Sequence, residues 1–166
     1  MIDIRDERPT DIDAIREVNR LAFARDAEGR LVDALRANGA ATLSLVATDD
    51  DLVVGHIMFS PLFVGDLQGV GLAPMAVAPS HQRRSIGSRL VDAGIERLRR
   101  MGCPFIVVIG HPGFYPRFGF QPAALHALTC DWDVRPEAFM VNILDPATGR
   151  YLGGRAQYRQ EFSSLE

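Results

Sequence analysis

The run Met75-Ala76-Val77-Ala78-Pro79-Ser80-His81-Gln82-Arg83-Arg84-Ser85-Ile86-Gly87-Ser88-Arg89-Leu90 is where residue types and spacing come closest to chemistry. An apolar strand ends, a short loop follows, and a helix opens on small residues. The first turn of a helix offers about four unpaired N–H donors and roughly half a positive charge. Gly87 lets a ligand approach the backbone, Ser85 and Ser88 keep the surface low, and Arg83 and Arg84 add charge at the mouth. Such a junction can cradle an anion. An ordinary capped amphipathic helix shares the spacing, so both readings stand on these residues alone.

Charge is distributed to suit a small anionic ligand. The 166 residues carry a formal net charge of −3. Residues 1–80 hold seven Arg against 13 Asp and Glu, whereas residues 83–100 hold six Arg against Asp92 and Glu96. One basic segment in an acidic chain favours a compact anion over long nucleic acid. All 18 basic residues are arginine. With no lysine, a Walker phosphate loop, an active protein kinase and Schiff-base chemistry are excluded. Cys103 and Cys130 form no Cys-x-x-Cys unit and no zinc spacing with the four histidines. They read as small buried residues in a reduced, cytoplasmic compartment. Asp49-Asp50-Asp51 reads as a solvated turn, since no further carboxylate spacing supports a metal.

The elements that must position the cradle follow from periodicity. Residues 2–5 alternate as a short strand. Ile12, Ile15, Val18, Asn19 and Ala22 recur at helical spacing after Pro9-Thr10-Asp11. Residues 27–37 predict a second helix, stopped near Asn38-Gly39. Strands are expected at 43–48, 52–64 and 70–77, with Pro74 breaking the pairing of the third by a bulge or a splay. A helix from about Gln82 to Met101 follows, with Gly102 suited to its C-terminal stop. Phe105-Ile106-Val107-Val108-Ile109 is a buried central strand. Residues 111–120 predict a turn or very short helix leading to another strand, and a last clear strand covers 138–144. The segment 146–166 is less defined. No run of 18 apolar residues and no secretory leader is visible. The reading is a single domain over 1–166, α+β, with a mixed, mainly antiparallel sheet of about six or seven strands and helices on both faces.

Val77-x-Pro79-x-x-Gln82-Arg83-Arg84-Ser85-Ile86-Gly87-x-x-Leu90 resembles motif A of the GCN5-related N-acetyltransferases, the GNAT superfamily. Phe114-Tyr115-x-Arg117-Phe118-Gly119-Phe120 resembles its Tyr-x-x-x-Gly-Phe element, and His-Pro-x-x-Tyr-x-Arg-Phe-Gly-Phe is similar to one bacterial subgroup. The resemblance runs along residues 2–145. It implies an acyltransferase moving acetyl from acetyl-CoA to a primary amine of a small molecule or peptide, in a ternary complex. The acidic whole, the lack of interleaved aromatics and the apolar stripe of the helix from Gln82 argue against nucleic acid, the lack of a long apolar run argues against a membrane, and a homodimer stays open. Met75, Ala76 and Val77 match the strand that pairs with the pantetheine arm. The amides from Arg83 through Ser88, with Gln82, match the pyrophosphate cradle. Tyr115 matches the general acid that reprotonates the leaving thiolate, against the alternative of a core tyrosine with a satisfied hydroxyl. His111, at the end of the central strand, is the candidate base, with a loop-ordering role as its rival. Trp132 either lines the acceptor site or packs its rim. A non-catalytic acyl-CoA-binding module on the same fold is the alternative function.

Two positions depart from the family pattern. Ser85 replaces the first motif glycine and is expected at negative φ. Val108 stands where many members carry a cofactor-touching asparagine, so the helix between it and Tyr115 is expected to be short.

Overall fold

Proline 79 cannot donate to a ladder and Gly102 can turn left-handed, and between them lies the helix on which the site depends. In the computed structural model, which describes residues 1–165, most of that helix belongs to the first of two compact units. One unit comprises Met1–Ser60, Ala73–Arg97 and the chain from Gln160; the other comprises Pro61–Leu72 and Leu98–Arg159.

The first unit opens with β1 (Ile2–Asp6), α1 (Ile12–Phe23), α2 (Ala27–Ala37) and β2 (Leu43–Asp49). It also holds the first part of β3 (Leu52–Val64), the end of β4 (Leu67–Val77) and most of α3 (Ile86–Arg100). β1 and β2 pair antiparallel, as do β2 and β3, with a register shift between Ala47 and Thr48. α1 buries Ile15, Val18 and Asn19, the face that the spacing predicts. α2 stops where expected. Ala40 N–H bonds Leu35 O at 2.8 Å and Gly39 N–H bonds Arg36 O at 3.2 Å, with Gly39 at φ +70°. This pair of bonds uses the carbonyls a helix end leaves free. α3 lies close on β3. A Cβ at Gly94 would come within 2.6 Å of the Phe59 ring, and one at Gly55 within 3.1–3.2 Å of Leu90, Ala47 and Ile86. Ile86, Leu90, Phe59, Ile57 and Leu45 are fully buried there.

The second unit contains the remainders of β3 and β4, with β5 (Phe105–Ile109), β6 (Gln121–Pro122), β7 (Leu128–Thr129), β8 (Phe139–Ile143) and β9 (Gly154–Gln157). β5 is central. It runs parallel to β4 and antiparallel to β8, which also pairs with β6. β9 pairs with β3 and β7. Phe105, Val107, Leu62, Val141 and Phe139 form the core of this unit. The β4–β5 ladder runs from Val70↔Ile106 to Leu72↔Val108 and ends there, two residues before Pro74. The sheet is thus mixed and mainly antiparallel, as the periodicity predicts.

Three expectations are corrected. α3 begins at Ile86, four residues after Gln82. The strand expected after residue 120 is only the two-residue β6. The segment after 146 is ordered, with a 3₁₀ turn at Pro146–Arg150, β9, and a second 3₁₀ turn at Gln160–Leu165.

Candidate active site

β4 ends with one side of its backbone committed. Ala78 N–H donates to Val54 O at 2.8 Å. Successive strand residues turn their N–H and C=O groups to opposite sides. Val77, and Met75 two residues earlier, therefore direct theirs away from β3, while Ala76 shares the β3 side with Ala78. The Gln82 side chain folds back to this free side, its Nε2 donating to Val77 O at 3.0 Å. Gln82 thus occupies the last free carbonyl of β4 and leaves the Val77 N–H beside it. Ala76 is buried, and Met75 and Val77 are half-buried.

Between β4 and α3 the chain makes a 3₁₀ turn over Pro79–His81 and then two left-handed residues, Arg83 at φ +65° and Ser85 at φ +62°. Left-handed residues alternating with a residue of negative φ, here Arg84, bend successive N–H groups into a concave nest suited to anions. Ser85 therefore keeps the glycine conformation that its β-carbon disfavours, contrary to the expectation of negative φ. Its carbonyl accepts from Arg89 N–H at 3.0 Å as α3 begins. Ile86 turns its side chain wholly into the core, so it can offer a ligand only its amide. Gly87 and Ser88 lie in the first turn, half-buried.

The charges at this junction are uncommitted. Elsewhere in the unit Arg5, Arg16, Arg20, Arg25, Arg36 and Arg97 pair with carboxylates. Among the described residues, none pairs with Arg83, Arg84 or Arg89. Nest, helix terminus and three free guanidinium groups fit the pyrophosphate of a nucleotide cofactor.

Tyr115 lies in the second unit, at the start of a 3₁₀ turn, Tyr115–Phe118, that follows β5. His111 O accepts from Phe114 N–H at 3.0 Å and from Tyr115 N–H at 3.4 Å, which closes the loop. The Tyr115 ring is buried at 7% exposure, edge-on to Phe114 at 5.0 Å and to Phe120 at 5.5 Å. A Cβ at Gly110 would collide with it. Burial pushes the phenol up to about 12, so it is protonated throughout the neutral range. No hydrogen bond to its hydroxyl is made by the described residues, unlike a core tyrosine with a satisfied hydroxyl. The His111 side chain is exposed, and its backbone orders the loop. Val108 is buried and pairs with Leu72 and Met140, and only the 3₁₀ turn remains of the helix expected after it. Trp132 packs edge-on to Tyr158, centroids 4.7 Å apart.

Sequence reading missed two histidine networks. His81 Nε2 lies 3.0 Å from Asp49 Oδ2, and its Nδ1 lies 2.8 Å from Ser80 Oγ. His56, wholly buried, has Nε2 2.9 Å from Ser44 Oγ, which in turn donates to Glu7 at 2.6 Å. Only the adjacency of Ser80 and His81 is visible locally; the other partners are 12 to 37 residues apart. Among the described residues no cluster suits a metal ion, and no helix is long and apolar enough to cross a membrane.

Comparison with known proteins gives this geometry a context. The family model described as "Acetyltransferase (GNAT) family" matches residues 12–120. The chain is 40% identical over 163 residues to the uncharacterized N-acetyltransferase YhbS of Escherichia coli K12, covering 96% of this chain and 98% of that protein. The crystal structure of E. coli YhbS in complex with CoA superposes with a TM-score of 0.93 at 38% identity, over 98% of this chain and 92% of that one. A GNAT family acetyltransferase from Brucella melitensis, in complex with acetyl-CoA, superposes with a TM-score of 0.82 at 36% identity, over 98% of each chain. With matches of that extent, the protein belongs to the acetyltransferase (GNAT) family.

Proposed function

We propose that this chain works as one catalytic domain that transfers acetyl from acetyl-CoA to a primary amine by direct attack, and that the nest at Arg83–Ser88 holds the donor's pyrophosphate. The observation that carries this is the three uncommitted arginines around two left-handed residues at the start of α3. The relatives crystallised with CoA and acetyl-CoA support the same donor.

Acetyl-CoA supplies the thioester. The chain's own groups divide the remaining work. The outward N–H and C=O of Met75 hold the pantetheine amides as a neighbouring strand would. Val77 N–H donates to the carbonyl oxygen as negative charge develops on it. Gln82 keeps the Val77 carbonyl occupied, so that segment presents a donor to the reacting oxygen. Tyr115, protonated and unpartnered, returns a proton to the thiolate, whose conjugate acid is far stronger than this phenol is at about 12. The transfer is therefore transient and draws on the thiolate's basicity at the moment of C–S cleavage. His111 is the candidate base for the amine proton. The acceptor is a small-molecule or peptide amine, and the enzyme acts in the cytoplasm. A homodimer is compatible with this reading.

Release of free thiol from acetyl-CoA across a panel of amino acids, polyamines, aminoglycosides and peptides tests the reaction. Binding of acetyl-CoA with no acceptor-dependent thiol release would favour the non-catalytic module instead. Gly87→Glu puts bulk and negative charge into the cradle and should abolish donor binding; unchanged affinity would remove the cradle.

A further inference from the structure

We propose that His81 is a positioning residue for the donor cradle: joined to Asp49 and Ser80, it fixes the turn from which the cradle springs. This rests on the reading of Arg83–Ser88 as the pyrophosphate site. The observations lie in one unit. His81 closes the 3₁₀ turn at Pro79–His81, its N–H bonded to Ala78 O at 2.8 Å, and is followed directly by Gln82, Arg83 and Arg84. Its imidazole reaches the turn between β2 and β3, 3.0 Å from Asp49 Oδ2, and is 15% exposed. The cradle is thus held at two successive residues. Gln82 ties it to the end of β4, and His81 ties it to the turn after β2.

Ser80 lets this tie survive in both protonation states. With neutral His81, Nε2–H donates to Asp49 and Nδ1 accepts from the Ser80 hydroxyl at 2.8 Å. With the imidazolium, Nδ1–H donates to the same hydroxyl oxygen, which rotates its proton away. Protonation therefore strengthens the bond to Asp49 without rearranging the turn. It also adds a positive charge one residue before Gln82, on the approach to a polyanionic ligand. The Met1 ammonium bonds Asp49 at 3.3 Å and Asp50 at 3.4 Å and so competes for the Asp49 carboxylate. Asp49 is accordingly held below the usual carboxylate range, by His81 first and the ammonium second.

Calorimetric titration of CoA at neutral pH tests the assignment. His81→Asn should bind CoA about tenfold more weakly. Asp49→Asn keeps an acceptor for Nε2–H and should stay within about twofold of wild type, whereas Asp49→Ala removes the acceptor and should be weakened as much as His81→Asn. Wild-type affinity in His81→Asn, or equal weakening by Asp49→Asn and Asp49→Ala, overturns the proposal. Gly87→Glu separates the two readings. If it still binds CoA, the cradle itself is misplaced; if it loses CoA while His81→Asn behaves as wild type, only the role of His81 falls.

Discussion

His56 and Ser44 share a hydrogen bond of 2.9 Å beneath the surface of the first unit, and its direction is determined by what lies on either side. The Ser44 hydroxyl donates to Glu7 Oε1, so it must accept from His56 Nε2–H. Glu7 is meanwhile gripped by Arg36, whose Nε and Nη2 donate at 2.7 and 2.8 Å. Burial leaves His56 neutral, its pKa lowered to about 4. Because the unfolded histidine titrates near 6.5, the unfolded chain binds the extra proton first as pH falls. Stability from this site is complete above 6.5 and drains away down to about 4, a loss of about 3 kcal/mol. Urea unfolding at pH 7 and pH 4.5 should show a larger fall for wild type than for His56→Gln. Subtracting that variant removes the parallel acid losses of Glu7 and Asp11, whose carboxyls are also held low.

Tyr115→Phe removes the hydroxyl and leaves the ring packed against Phe114 and Phe120. With a good acceptor, turnover should fall about 100-fold while donor affinity stays within about twofold, since proton transfer by a placed side chain contributes about 100-fold or more. A phenol raised to about 12 also predicts no loss of wild-type activity from its ionisation up to pH 10. Steady-state kinetics across that range checks both statements, and unchanged turnover in the variant refutes the acid role.

Ser85→Gly should stabilise the protein. At φ +62° the serine bears a left-handed penalty of about 1 kcal/mol, which glycine does not. Glycine loses part of that gain to its unfolded-state freedom. A rise in Tm of about 1–3 °C is expected, with donor affinity equal or tighter because the nest no longer works against its own backbone. A lower Tm would show that the serine hydroxyl contributes more than the strain costs.

Gly94→Ala opposes two effects. Alanine favours a helix over glycine by about 1 kcal/mol. Its methyl, however, would lie 2.6 Å from two atoms of the Phe59 ring, which is wholly enclosed. Overpacking of a core costs about 1–3 kcal/mol, so the net change should be destabilising by about 1 kcal/mol. Adding Phe59→Leu should recover part of it, and chemical denaturation of the single and double variants measures the difference.

The contrast between α3 and the strands shows what local sequence carries. Ile15, Val18 and Asn19 sit on one face because helical spacing puts them there, and Gly39 and Gly102 end their helices as glycine's freedom allows. α3 starts four residues later than its spacing predicts because Arg83 and Ser85 adopt a conformation their residue types disfavour. Nothing local signals that. β9 escaped because Gly154-Arg155-Ala156-Gln157 buries only Ala156 and owes its strand form to its neighbours β3 and β7. In the proposed site, the cradle residues and Tyr115 are singled out by motif spacing, which is local. The pairing of Asp49 with His81 is made by the fold, across 32 residues of chain.

The free side of β4 has one further consequence. Met75 and Val77 present the groups with which an edge strand recruits a neighbour, and a peptide-like chain laid along them completes a ladder that the polypeptide itself leaves open. On the function proposed above, the donor substrate would behave as a borrowed strand. Its arrival should be written in the slowing of two alternate amides, Met75 and Val77, against deuterium, while that of Ala78, already closed on Val54, keeps its pace.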